Sequence, residues 1–165
     1  VAVESNPDDG FDAWYRSTWP KLVASVAVMV RSREAAQDIA GTAMVRAYER
    51  WDNDTIDSPT AWVYRVAINL VRQRQRRRVL ELRVPRREIE EIASVPEVDG
   101  AIWAAVAGLP VRQRTAIALR YLADLTQEDV ASAMAITPGT AAATLAAARR
   151  NVRKALGEDF LEVDE

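Results

Sequence analysis

"LTQEDVASAMAITPGTAAATLAAARRNVRKAL", residues 125–156, is the stretch whose reading decides the fold. Thr126 and Asp129 have the spacing of a capping box, with the shorter Asp in place of Glu. Thr137-Pro138 is a second helix start: a good cap, then proline at the first helical position, where its missing N–H costs nothing. The spacing predicts a short helix over 126–134, a tight turn near Ala135–Thr137 and a longer helix over 138–156. That layout is a helix-turn-helix, with Val130, Met134, Ile136 and Leu145 packing its two helices together. An ordinary αα-hairpin in a bundle has the same periodicity. The second helix has an odd composition for a base reader. Between Pro138 and Arg149 it offers only Thr140 and Thr144 among alanines. Alanine can touch a thymine methyl but donates no hydrogen bond to a base edge.

Working outward, the helical signal continues almost throughout. Apolar residues recur at spacings of three and four: Phe11, Trp14, Tyr15, Trp19; Ile39, Ala43, Ala47, Trp51; Trp62, Val66, Leu70 with Val63, Ala67, Val71. Ser58-Pro59 is another cap followed by proline. No run alternates convincingly with period two. The expected helices are 10–30, 34–51, 59–82, 100–108, 111–122, 126–134 and 138–156. Residues 83–100, "RVPRREIEEIASVPEVDG", read as a linker with two prolines, mixed charge and a closing glycine. The expectation is an all-α chain of two small helical domains, 10–82 and 101–156, joined by the 83–100 linker and followed by an acidic tail, 157–165.

Composition narrows the chemistry. The 165 residues include no Cys and no His. Disulfides, thiolate metal sites and the commonest general base are therefore excluded, and no cofactor or metal is expected. No constellation of the remaining residues supports an enzyme. No segment is apolar for the roughly 20 residues a membrane span needs. The opening "VAVESNPDDGFDAWYRS" lacks the basic stretch and apolar run of a secretory signal, so a cytoplasmic location is expected.

The formal charge of −2 hides a strong asymmetry. Between Thr60 and Glu88 there are nine Arg (65, 72, 74, 76, 77, 78, 83, 86, 87) against Glu81 and Glu88. The tail "GEDFLEVDE" has five acids and no base. In "DSPTAWVYRVAINLVRQRQRRR", residues 57–78, Trp62, Val66 and Leu70 share one helix face. Arg65, Asn69, Arg72 and Arg76 share another. Guanidiniums pair with phosphates in forked geometry and an Asn can bond a base edge, so this ridge suits nucleic acid. A plain solvated basic face has the same pattern. The loop "RWDNDTIDSPTAW", residues 50–62, sets short polar side chains between Trp51 and Trp62. It suits either capture of an unstacked base or a capped turn between two core tryptophans.

These features, in this order, resemble the sigma factors of bacterial RNA polymerase, specifically the small two-domain ECF (extracytoplasmic function) class and its actinobacterial sigma-E-like group. "FDAWYRSTWPKLVASVAVMVRSREAAQDIAGTAMVRAYERW" is similar to the start of sigma region 2. "SPTAWVYRVAINLVRQRQRRR" is similar to its promoter-opening helix, and "LPVRQRTAIALRYLADLTQEDVASAMAITPGTAAATLAAARRNVRKAL" to region 4. The resemblance implies a subunit that directs RNA polymerase core to promoters and assists their opening. The implied partners are the core (its β′ clamp and β flap), promoter DNA, and an anti-sigma factor or other transcription regulator. It puts Asp38 and Arg46 on the clamp-binding helix. Asn53, Asp54, Thr55 and Asp57 fall in the base-capturing loop, and Arg65, Asn69, Arg72 and Arg76 on the −10 DNA-binding helix. Thr137, Thr140, Thr144, Arg149 and Arg150 fall in a weak −35 contact set.

Two departures from the family pattern stand out. The clamp-helix motif, usually close to "DLVQETFLRA", is "DIAGTAMVRA" here, with Gly41 and Thr42 for Gln and Glu. The recognition helix, usually close to "GTVKSRLHRAR", is "GTAAATLAAAR", with Ala142, Thr144 and Ala147 in place of basic residues. The second leaves open another function class: a protein-interaction module of sigma-like shape whose alanine-rich helix is a packing face.

Overall fold

The structure, a computed structural model, describes residues 7–51, 56–81 and 100–157. The linker beyond Glu81, the loop residues 52–55 and the acidic tail from 158 onward lie outside the described residues, as do the expectations that fall on them. The described residues form seven α-helices: α1 (Pro7–Val30), α2 (Arg33–Tyr48), α3 (Pro59–Glu81), α4 (Gly100–Ala107), α5 (Val111–Ile117), α6 (Gln127–Met134) and α7 (Pro138–Leu156). The all-α expectation holds, and no strand occurs among these residues. The expected single helix over 111–122 is corrected in one respect. It is α-helical only to Ile117 and then widens into a π-helical turn, Ala118–Leu122.

The caps explain where helices begin. Ser32, which the periodicity did not single out, accepts from the Ala35 amide at 3.3 Å and starts α2. Ser58 does the same for Ala61 at 3.4 Å and starts α3. Thr126 accepts from the Asp129 amide at 3.1 Å, but the box closes differently from the Glu version. The short Asp129 carboxylate accepts from the Thr126 hydroxyl at 2.8 Å rather than reaching a backbone amide. Thr137 accepts from the Thr140 amide at 3.2 Å and starts α7.

The first three helices form one unit. α2 buries a row of small residues, Ala36, Ala40, Ala43 and Ala47, which lets α1 and α3 approach closely. α3 buries Val63, Tyr64, Ala67, Ile68 and Val71, while Trp62, Val66 and Leu70 are only half-buried. The floor between α1 and the end of α2 is aromatic. Phe11 meets Trp51 edge-on at 5.1 Å and Tyr48 at 5.0 Å, and Trp14 lies 5.0 Å from Trp51. The Trp14 indole N–H donates to Thr60 Oγ1 at 3.0 Å, tying α1 to the start of α3.

The last helices form a second unit around Leu119, Val130, Met134, Ala141 and Leu145, with Ile136 half-buried at the turn. α6 ends with Ala135 in the left-handed region (φ 55°, ψ 48°), and the Ile136 amide reaches back to the Ala131 carbonyl at 3.0 Å. This six-to-one closure commonly uses glycine, so an alanine here carries some strain. The two units do not stand apart. α1 packs on α5 and its π turn, α3 packs on α6, and the buried core runs through both.

Gly41 tests the backbone of α2. A methyl group there would meet nothing within 4 Å, and glycine inside a helix costs about 0.5–1 kcal/mol relative to alanine. Gly41→Ala is therefore expected to stabilise the chain by about that amount, read as a shift of the urea midpoint with unchanged slope. A lowered midpoint would mean that the site is tighter than its geometry indicates.

Candidate nucleic-acid interface

α3 carries the basic ridge. Its inner rows are apolar and held by α1 and α2, so Arg65, Asn69, Arg72 and Arg76 all emerge exposed, with Arg74, Arg77 and Arg78 further along. Among the described residues no carboxylate lies within ion-pair range of these guanidiniums. Two of them nevertheless have firm protein partners. Arg65 donates from Nε at 3.1 Å and from Nη2 at 2.9 Å to the Ser132 carbonyl, and from Nη2 to the Ser132 hydroxyl at 2.9 Å. Arg72 Nη2 donates to the Met134 carbonyl at 3.2 Å. Both acceptors sit at the C-terminal end of α6, where the helix dipole is negative, and the Ser132 carbonyl also accepts from the Ala135 amide at 3.1 Å. α6 has no basic residue in its own last turn.

The loop beside the ridge is partly described. Asp57 is exposed, whereas Asn53, Asp54 and Thr55 lie outside the described residues. Trp51 is a packing residue of the aromatic floor. Trp62 is half-buried beneath Arg50, whose guanidinium carbon is 5.5 Å from the ring centroid. A shallow open depression is lined by Arg50, Trp51, Ile56 and Pro59.

α2 presents Asp38, Thr42, Val45, Arg46 and Glu49 outward along one stripe, opposite its alanine row. Val45 is 59% exposed, an apolar patch beside Arg46 and between Asp38 and Glu49 on the stripe. The Thr42 hydroxyl donates back to the Asp38 carbonyl at 2.9 Å, so it is turned into the helix.

At the start of α7 the hydroxyls are turned inward as well. Thr137 and Thr140 share a hydroxyl–hydroxyl bond of 2.8 Å, and Thr144 donates to the Thr140 carbonyl at 2.7 Å. Arg149 is drawn sideways: its Nε donates to the Tyr121 hydroxyl at 2.8 Å and its guanidinium lies over that ring. Arg150 is exposed. The structure thus places the five expected −35 residues on one helix but does not aim them at a common point.

Sequence reasoning missed Arg114. It is 7% exposed and donates to three carbonyls: Leu109 at 3.1 Å, Ala107 at 3.2 Å and Met29 at 3.4 Å. Burial, and secondarily the charge of Arg31, pull its pKa down from the usual arginine value. The available signal was an arginine in helical register with Ile117 and Ala118 inside "VRQRTAIAL", where a surface residue has no place. Lys21 and Asp124 were also missed. They pair at 2.7 Å across the two units, and the Lys21 hydrogen bond and charge hold the Asp124 carboxyl below its usual value.

Comparison with known proteins places these features. The sigma-70 region 2 family matches residues 7–80, and the sigma-70 region 4 family matches residues 99–152. The chain belongs to the sigma-70 family. Its relatives include RNA polymerase sigma-E factors of Streptomyces coelicolor, 30% identical over 88% of this chain and 85% of that one, and of Streptomyces avermitilis, 32% identical over 88% and 84%. Its fold is shared with the sigma factor RpoE of Bartonella quintana, solved with the anti-sigma factor NepR (TM-score 0.73, 21% identity, 94% of this chain and 99% of that one). It is shared also with CnrH, solved with the cytosolic domain of CnrY (TM-score 0.63, 15% identity, 96% and 91%). The protein is an ECF-type sigma factor, a non-enzymatic initiation subunit of RNA polymerase. No single described helix of this sigma factor is long and apolar enough to cross a membrane.

The region 4 cap gives a clean structural test. Thr137→Ala removes the α7 cap and its bond to Thr140, and is expected to cost about 1 kcal/mol of stability. Chemical denaturation of the full chain reads this directly, and Thr137→Ser should recover most of the loss.

Proposed function

We propose that this sigma factor chooses promoters mainly through region 2, and that region 4 contributes duplex contacts with little base discrimination. Asp38 and Arg46 on the exposed α2 stripe dock on the polymerase clamp, with Val45 supplying the apolar centre of the contact. Asn69, with Arg65, Arg72 and Arg76, acts on the −10 element as its strands separate, and the 53–57 loop takes a displaced base. Arg150 with Arg153 and Lys154 meets phosphates of the −35 duplex. The protein works in the cytoplasm with core polymerase, and an anti-sigma factor is a further expected partner, as for the Bartonella quintana neighbour.

The observation that carries this reading is the contrast between two helices. The α3 ridge presents a carboxamide flanked by guanidiniums, groups long enough to reach bases and phosphates. The first three turns of α7 present alanines, with the Thr137, Thr140 and Thr144 hydroxyls bonded within the helix. A bidentate base contact gives about 1–3 kcal/mol of discrimination, and α7 has no side chain there able to make one.

Two experiments on the reconstituted holoenzyme follow. Scrambling the −35 element of a dependent promoter should change run-off transcription only a few-fold, while scrambling the −10 element should abolish it. A sharp −35 requirement would show that α7 reads sequence through shape and methyl contacts after all. Separately, Asn69→Ala should lower permanganate reactivity of the melted region at least about tenfold, the loss of one good base contact. Co-elution with core should be unaffected. Undiminished reactivity would reduce Asn69 to a surface residue.

A further inference from the structure

We propose that the acidic tail, residues 158–165, docks back along the outward face of α7 and occupies the cations that otherwise meet duplex phosphates. The proposal rests on the duplex role given above to Arg150, Arg153 and Lys154. α7 buries Ala141, Leu145 and Ala148, with Val152 half-buried on the same side. The opposite side, in helical register, carries Gly139, Ala143, Ala147, Arg150 and Lys154. Ala143, Arg150 and Lys154 are exposed there, and Arg153 is exposed beside them. Among the described residues no carboxylate lies within ion-pair range of these three cations. Arg149 differs, because Tyr121 already holds it. The outward face thus has two parts in a fixed order. Its C-terminal end is basic, and further back toward Pro138 it is a smooth surface of small side chains.

The tail has the complementary order when it runs backward. "EDFLEVDE", residues 158–165, carries five acids and no base, and its first two residues are acidic. An extended chain rises about 3.3 Å per residue against 1.5 Å in a helix, so each tail residue passes about two residues of α7. Counting from Gly157, Asp159 falls about level with Arg153 and Lys154, Leu161 with Ala147 and Val163 with Ala143. Asp159, Leu161 and Val163 also lie on one side of an extended chain, since its side chains alternate. Acid therefore meets base, and the two apolar residues meet the alanines. At Gly157 the chain leaves the helix with φ 83° and ψ 162°, a conformation that side chains other than glycine rarely adopt. A single exposed ion pair contributes little, so the contact depends on several charges and on the tether. Because the tail begins one residue beyond the helix, its acids stay at roughly millimolar or higher effective concentration around these cations. The docked tail and a DNA backbone compete for the same groups, so a duplex binds region 4 only by displacing the tail.

The chain has no cysteine, so Asp164→Cys takes a single nitroxide label on the full-length protein. At low salt the label should broaden the Ala143 amide signal more than that of Ala155, and high salt should reverse that order. Arg150→Glu/Lys154→Glu should abolish the Ala143 broadening, and Glu158→Lys/Asp159→Lys in that background should restore it. Removing residues 158–165 should raise affinity for a duplex of random sequence about tenfold at low salt and leave it unchanged at high salt. Broadening at low salt that is strongest at Ala155 marks an undocked tail and overturns the proposal. Ala143 broadening in isotope-labelled chains that carry no nitroxide, mixed with labelled ones, assigns the face to a second copy's tail and overturns it too. Docking as expected with duplex affinity unmoved by the deletion upholds the contact and counts instead against the phosphate role of Arg150, Arg153 and Lys154.

Discussion

Helices leave their last carbonyls without partners, and in this protein arginines from elsewhere in the chain answer that need. Three helices, α1, α4 and α6, have no basic residue in their own last turn. Arg114 serves two of them, through the Met29 carbonyl of α1 and the Ala107 carbonyl of α4. Arg65 and Arg72 serve the third, through Ser132 and Met134. Arg65 and Arg72 lie more than 60 residues from their acceptors and Arg114 lies 85 from Met29, so the bonds that finish the helices also hold them together. A guanidinium suits this task because its fork can meet two carbonyls, and it stays charged when partly desolvated.

α3 has the central position because it works on both faces. Inward, Val63, Tyr64, Ala67, Ile68 and Val71 close the first unit. Outward, the same helix carries the basic ridge proposed to meet DNA. The ridge alignment alone does not distinguish a DNA-binding chain from an interaction module, since Arg65 and Arg72 have protein partners of their own. It is family membership across residues 7–80 and 99–152, not the ridge, that makes the chain a sigma factor.

α7 keeps its architecture independently of its outward face. Its cap, its proline start and its buried row of Ala141, Leu145 and Ala148 keep it packed on α5 and α6. None of these depends on the outward side chains, so alanines there cost the fold nothing. Small outward residues even favour the helix, since alanine has the highest intrinsic propensity. The fold of region 4 is thus insensitive to the outward positions proposed to face the −35 duplex.

The sequence alone determined the helices and the ridge, because both depend on local spacing. Caps at Ser58, Thr126 and Thr137 and the three-and-four periodicity needed no distant partner to be legible. The same holds for the placement of Arg65, Asn69, Arg72 and Arg76 on one face. The π turn at Ala118–Leu122, the buried Arg114 and the pairing of Lys21 with Asp124 came only with the tertiary structure. So did the seating of α6 on the ridge. The π turn is a local widening that side-chain spacing does not mark; the others join residues far apart in the chain through backbone carbonyls or an ion pair, and a carbonyl carries no residue-specific signal. Which arginine faces solvent and which one finishes a distant helix is settled by packing, where the unsatisfied end of one helix meets the long side chain of another.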